Sequence, residues 1–147
     1  MDTEQAPTPQ WGKGIVDAGR FSAATERALA HGEDRAILLV QLDGATEVAV
    51  AAAEARLLRA VRPGDLVGRL GHDRLAVLAE TSGGRRGGEE VIHSLTTRVA
   101  ARLSEPFQVG GEKVHVIPRI GVAYAEGDAD TAAKLLLRAE ERFDSPR

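Results

Sequence analysis

The sequence predicts an α/β fold: a ferredoxin-like core in which a mainly antiparallel central sheet is flanked by helices. Three observations predict it. Stretches of helical periodicity alternate with short apolar runs along the chain. Residues 36–42 (AILLVQL) are continuously apolar apart from Gln41, as a strand buried on both faces must be. Two β-type runs, 65–70 and 74–80, are joined by a short glycine-led turn, which marks an antiparallel hairpin. Helices packed on such a sheet suggest a two-layer α/β sandwich.

Each element can be justified in order. Residues 1–13 (MDTEQAPTPQWGK) are polar and proline-bearing and read as a disordered leader, leaving 14–147 as a single domain. In 14–32, Phe21, Ala24, Ala28 and Leu29 recur at helical spacing, and Gly32 closes the helix. After the central strand, residues 45–61 are rich in good helix formers and end at Arg62-Pro63-Gly64-Asp65, where proline and glycine break helical pairing. The hairpin follows, then a Gly/Arg connector over 82–88 and a third helix over about 89–103. Phe107-Gln108-Val109, a Gly110-Gly111 turn and a strand pair, 113–117 with 120–125, come next. A fourth helix, 131–143, places Ala132, Leu135, Leu136 and Ala139 on one face and leaves Glu140 and Arg142 solvated. No internal repeat is visible.

Composition narrows the function classes. The 147 residues are 43% hydrophobic and 28% charged, an ordinary globular balance. With one Trp, one Tyr and three Phe, the core must be aliphatic. A net charge of -3 argues against a broad nucleic-acid footprint, so no nucleic-acid partner is expected. The chain has no cysteine, which fits a reducing compartment and a cytoplasmic location. No apolar run approaches the ~20 residues of a membrane span, so no membrane partner is expected. His31, His72, His93 and His115 are dispersed without zinc-ligand spacing, and no metal site is read from them. The connector 82–88 lacks the G-K-[ST] ending of a phosphate loop.

The segment VRPGDLVGRLGHDRLAVLAE (61–80) carries the strongest signal. It resembles the signature of the GGDEF family, the diguanylate cyclases, in which a helix ends in R-x-G-D, a strand follows and a Gly-Gly-Asp/Glu-Glu-Phe turn tops the hairpin. Gly14-Ile15-Val16-Asp17 with Phe21 is similar to the family's entry motif G-L-x-N…F. LLVQLD (38–43) sits where the family has L-L-D-x-D, RIGVA (119–123) where it has S-I-G-V-A, and LLLRAE (135–140) where it has L-L-x-x-A-D. The resemblance runs from about residue 14 to the C-terminus. It implies magnesium-assisted joining of two GTP molecules into cyclic di-GMP, with the protein supplying metal placement and charge stabilisation.

The sequence departs from that pattern where the chemistry would occur. Gln41 replaces the metal aspartate at the strand end, with Asp43 beyond it. The signature turn has become Gly71-His72-Asp73-Arg74-Leu75, with Arg74 in place of the family's Glu. Asp43 is followed at once by Gly44 and the next helix, so the guanine-recognition segment of roughly a dozen residues is missing by this register. These departures predict a domain that is not an enzyme and carries no cofactor, its turn and strand end being vestigial.

One feature of the resemblance is retained. Many cyclases carry an inhibitory R-x-x-D site shortly before the signature turn, where Arg meets phosphate or a guanine edge of cyclic di-GMP and Asp accepts guanine N–H groups. Arg62-Pro63-Gly64-Asp65 fits it, with five residues between it and Gly71. Guanidinium offers a planar donor fork and carboxylate a matched acceptor. Arg69 and Arg74 add nearby charge, and Arg98 and Arg102 are candidates for a second arginine. The same four residues also make an ordinary turn. The sequence therefore supports a cyclic di-GMP receptor built on Arg62 and Asp65, or a protein-interaction module that binds a protein partner or a second copy and takes no nucleotide; a residual diguanylate cyclase is the third alternative.

Overall fold

The computed structural model of the chain describes residues 14–81, 84–125 and 130–144. In chain order the elements are β1 (Ile15–Asp17), α1 (Ala18–Ala30), β2 (Arg35–Gln41), α2 (Glu47–Ala60), β3 (Leu66–Gly71), β4 (Arg74–Glu80) and α3 (Gly84–Ser104), then β5 (Phe107–Val109), β6 (Glu112–Val114), β7 (Arg119–Tyr124) and α4 (Ala132–Glu141). A single 3-10 turn, Arg142–Asp144, follows α4. Among the described residues no helix is long and apolar enough to cross a membrane.

The main sheet has the order β1-β3-β4-β2-β7. β2 sits between β4 and β7, the central place its apolar run requires, and is antiparallel to both. Its side chains alternate between two cores. Ala36, Leu38 and Val40 pack with Val50 and Leu57 of α2 and Leu95 and Val99 of α3. Ile37 and Leu39 pack with Phe21 of α1 and with Leu135 and Ala139 of α4. Each of the Leu, Ile, Val and Phe side chains, fully buried, contributes about 1.5–3 kcal/mol relative to exposure. A strand apolar on both faces needs helices on both faces, so the domain has three layers rather than the two expected.

Two glycines set the spacing of the layer that holds α1 and α4. A Cβ at Gly68 of β3 would lie 2.7 Å from Phe21 Cδ1, so the bare backbone lets the Phe21 ring lie against the sheet. A Cβ at Gly121 of β7 would lie 1.9 Å from the Ala139 carbonyl oxygen, which places α4 directly on the strand backbone.

Three local expectations are corrected. Residues 15–17 form a strand parallel to β3, and the first helix begins only after Asp17, whose carboxylate caps it by accepting from Arg20 N at 2.8 Å. The expected pair 113–117 with 120–125 does not form. β6 pairs with β5 in a separate two-stranded sheet, while β7 pairs with β2. Pro118, without an amide hydrogen, separates the two. α3 starts at Gly84, inside the stretch read as a connector, of which residues 82–83 lie outside the described residues.

Candidate functional site

The functional residues read from the sequence fall at opposite ends of β4. At its start stand Gln41, Asp43 and the turn Gly71–Leu75; at its end stands the Arg62–Asp65 turn.

At the first end, Gln41 and Arg74 face each other in the β2–β4 register. Arg74 Nε donates to Gln41 Oε1 at 2.7 Å, and its Nη1 reaches Glu140 Oε2 at 3.3 Å. Arg119 Nε donates to Asp43 Oδ2 at 2.8 Å. The Phe143 ring lies 5.3 Å from the Arg74 guanidinium and 5.1 Å from that of Arg119, so both cations flank one aromatic face or edge. Across the hairpin, Arg69 forks onto Glu47 at 2.9 and 3.2 Å and sets Nε 3.1 Å from Glu54. His72 Nδ1 is 3.7 Å from Glu47, Leu75 is buried, and the Asp73 carbonyl accepts from Leu42 N at 2.8 Å.

Charge pairing tunes these groups. The Arg119 hydrogen bond holds the Asp43 carboxyl below the usual carboxylate range, and Arg69 does the same for Glu47. Glu47 in turn raises Arg69. Magnesium takes carboxylate and water oxygens in octahedral geometry. Here Asp43 accepts from Arg119, and Gln41 accepts from the Arg74 guanidinium. Among the described residues no group of three His, Cys, Asp or Glu is placed to hold a metal. As arranged, Asp43 Oδ2 and Gln41 Oε1 are both engaged by guanidinium groups.

At the second end, Asp65 is turned inward. Its side chain is 1% exposed, Oδ2 accepts from Arg62 N at 3.0 Å, and Oδ1 accepts from Glu80 N at 3.3 Å. Asp65 N closes the turn onto Arg62 O at 2.9 Å. The carboxylate thus staples α2's exit to the end of β4. Arg62 remains 42% exposed while Nη2 donates to Glu80 O at 2.8 Å. Arg98 of α3 donates from Nε to Ala60 O at 2.8 Å, beside the turn. For Arg102 the structure shows its carbonyl held by Arg56 instead.

Sequence reasoning missed several contributors. Arg119 was read only as part of a strand motif. Glu140 and Arg142, read as a solvated face, reach the sheet: Glu140 meets Arg74, and Arg142 Nη1 donates to Val122 O at 3.1 Å. Glu47 and Glu54 lay inside a helix with good propensity, and nothing local flagged them as partners of Arg69.

With this geometry in place, comparison with known proteins defines the class. Residues 43–145 match the family described as "Diguanylate cyclase, GGDEF domain", and the chain belongs to that family. It is 28% identical over 133 residues to the bifunctional diguanylate cyclase/cyclic di-GMP phosphodiesterase MucR of Pseudomonas aeruginosa, covering 82% of this chain and 18% of MucR. The chain thus spans less than a fifth of that curated relative. It also superposes on the GGDEF domain of PA1120 (YfiN or TpbB) from Pseudomonas aeruginosa with TM-score 0.76 and 26% identity, covering 88% of each chain. A sensory box/GGDEF family protein from Caulobacter crescentus shares the fold at TM-score 0.71 and 24% identity, over 88% of this chain and 90% of that one.

These findings correct one expectation. The departures at Gln41 and Arg74 and the short β2–α2 connection led to the reading that the chain is not an enzyme. The family it belongs to is an enzyme family, and MucR is named as a diguanylate cyclase. Three sequence departures alone do not remove a chain from that class.

Proposed function

We propose that this domain acts in cyclic di-GMP signalling and receives the dinucleotide at the Arg62–Asp65 turn. The observation that carries the reading is the construction of that turn. A buried carboxylate fixes the backbone from both sides, and the Arg62 side chain three residues earlier is 42% exposed while its Nη2 donates to Glu80 O. A preorganised guanidinium loses less freedom when it forks onto a phosphate. Arg98 lies beside it, and Arg35 stands 4.0 Å from Glu80 on the strand that Arg62 touches. In this reading Arg62 makes the ligand contact and Asp65 is a positioning residue that acts through the turn.

Titration calorimetry with cyclic di-GMP tests it. Micromolar binding to the wild type that Arg62→Ala weakens at least tenfold supports the proposal. No heat at high micromolar ligand, or full binding by Arg62→Ala, overturns it. Asp65→Asn separates the two roles: it should loosen the turn and weaken binding less than loss of Arg62 does.

A further inference from the structure

A groove runs between α1 and the edge of the main sheet. β1 is three residues long and forms that edge, paired on one side with β3. Beside it a hollow of about 430 Å³ opens over Ile15, Val16, Ala24 and Leu66. Gly14, the first described residue, stands in its wall. Arg20 and Arg27 also line it, nearly two turns apart on one face of α1 and about 10 Å apart along the axis. Among the described residues neither guanidinium has a carboxylate partner. Other arginines of the domain are paired: Arg35 meets Glu33, Arg69 meets Glu47 and Arg119 meets Asp43.

The chain carries an occupant of matching chemistry. Residues 1–13 (MDTEQAPTPQWGK) run directly into Gly14 and include the one tryptophan, Trp11, and two carboxylates, Asp2 and Glu4. Trp11 stands three residues before Gly14, a reach of at most about 10 Å, so the tether holds its indole beside the hollow. A tryptophan buries about 150–250 Å² and suits a site that is apolar at one end and wet at the other. Asp2 and Glu4 lie ten or more residues before Gly14, chain enough to reach Arg20 and Arg27, whose charge they match. A short tether also gives millimolar effective concentration, which favours this segment over a separate acidic partner of equal intrinsic affinity. We propose that residues 1–13 fold back along α1, with Trp11 in the hollow and Asp2 and Glu4 on Arg20 and Arg27. The contact needs no nucleotide, so it stands independently of the receptor reading.

The single tryptophan reports the contact directly. In the full chain its emission should be blue-shifted from that of the urea-unfolded chain, and acrylamide should quench it several-fold less. Ala24→Glu sets a carboxylate in the hollow and should bring both readings to the unfolded values, while circular dichroism shows the fold kept. Arg20→Glu with Arg27→Glu changes exposed side chains only, and should raise quenching about twofold as the charge match is lost. Arg59→Glu, a likewise exposed charge reversal on α2, should change neither reading. The arginine pair decides alone if Ala24→Glu does not fold. Native emission equal to the unfolded, or readings indifferent to the groove variants, overturns the proposal. So does a blue shift lost on dilution, which would put the segment in another molecule's groove.

Discussion

Arg74 and Gln41 are register partners on adjacent antiparallel strands, joined by a hydrogen bond of 2.7 Å. They are also the two positions where the family pattern carries Glu and Asp. The two departures are therefore in contact with each other: a guanidinium donates to a neutral amide across the strands. Like charges directly opposite on a sheet destabilise it, and this pair carries no such conflict.

The paired change has a measurable consequence. The melting temperature of the wild type should not respond to millimolar magnesium. Gln41→Asp with Arg74→Glu should lower stability by about 1 kcal/mol without metal, as expected for like charges set opposite one another. Magnesium should restore part of that loss. A wild-type melting temperature that rises with magnesium would show that the folded chain binds the cation and would overturn this expectation.

Asp65 is the tightest constraint at the other end. Replacing it with Ala orphans the amides of Arg62 and Glu80, which are part-buried. Each unpaired buried donor costs about 1–3 kcal/mol, so Asp65→Ala, which leaves two, should lose about 2–6 kcal/mol in chemical denaturation. Asp65→Asn keeps one acceptor oxygen and should lose about half as much. A loss below 0.5 kcal/mol for the alanine variant, well under that penalty, would mean that water replaces the carboxylate and the turn is not held by it.

How far the sequence foresaw this depends on whether the determining contacts are local. β2 was legible because its apolar run can be satisfied only between two layers. β1 was not, because Ile15–Asp17 becomes a strand only by pairing with β3, some fifty residues on. On either side of Pro118 the sequence reads equally as strand, and the choice of β5 or β2 as partner is made in three dimensions. At the site, positions 41, 62, 65 and 74 were found by register with a known family. Their partners were not, since Arg119 lies 76 residues from Asp43 and Glu140 lies 66 from Arg74.

Layer spacing gives a third expectation. Gly121→Ala drives a methyl group into the Ala139 carbonyl at 1.9 Å, so α4 must lift from β7. Overpacking against backbone should cost about 3 kcal/mol or more. Gly68→Ala meets the Phe21 ring at 2.7 Å and should cost about 1–3 kcal/mol. Gly14→Ala, with no atom within 4 Å of the new methyl group, is the control and should be neutral in thermal melts. Equal stability of the Gly121 and Gly14 variants would show that α4 does not rest on the strand.

The depressed carboxylates make the fold acid-sensitive with a defined sign. Asp43 and Glu47 titrate lower in the folded chain than unfolded, where they return to about 4. In acid the unfolded state therefore binds more protons, so their stabilisation is complete above that value and is lost as pH falls through the folded values. The stability difference between wild type and Glu47→Gln should be present at pH 7 and close as pH drops below about 4. Both groups are exposed, so about 0.5 M salt should also shrink it. A difference that persists unchanged in acid would assign Glu47's effect to packing instead of charge.

Arg56 shows how one side chain can tie α2 to the end of α3. Its Nη1 donates to the carbonyls of Arg102 at 2.9 Å and Glu105 at 2.7 Å, and Nη2 to that of Pro106 at 3.0 Å. Those carbonyls lie at and just past the C-terminus of α3, where backbone acceptors lack intrahelical partners and the helix dipole favours a cation. The guanidinium also lies 3.7 Å from the Phe107 ring centroid, over the first residue of β5. Arg56→Ala should therefore lose about 1.5–3 kcal/mol, the range for hydrogen bonds to a charged donor. Arg56→Lys keeps the charge but not the planar fork, and should recover less than half of that. Hydrogen exchange locates the effect: the last turn of α3 and residues 105–109 should lose protection first, while β2 stays protected. Uniform loss across the sheet would mean that Arg56 stabilises the core at large and not this junction.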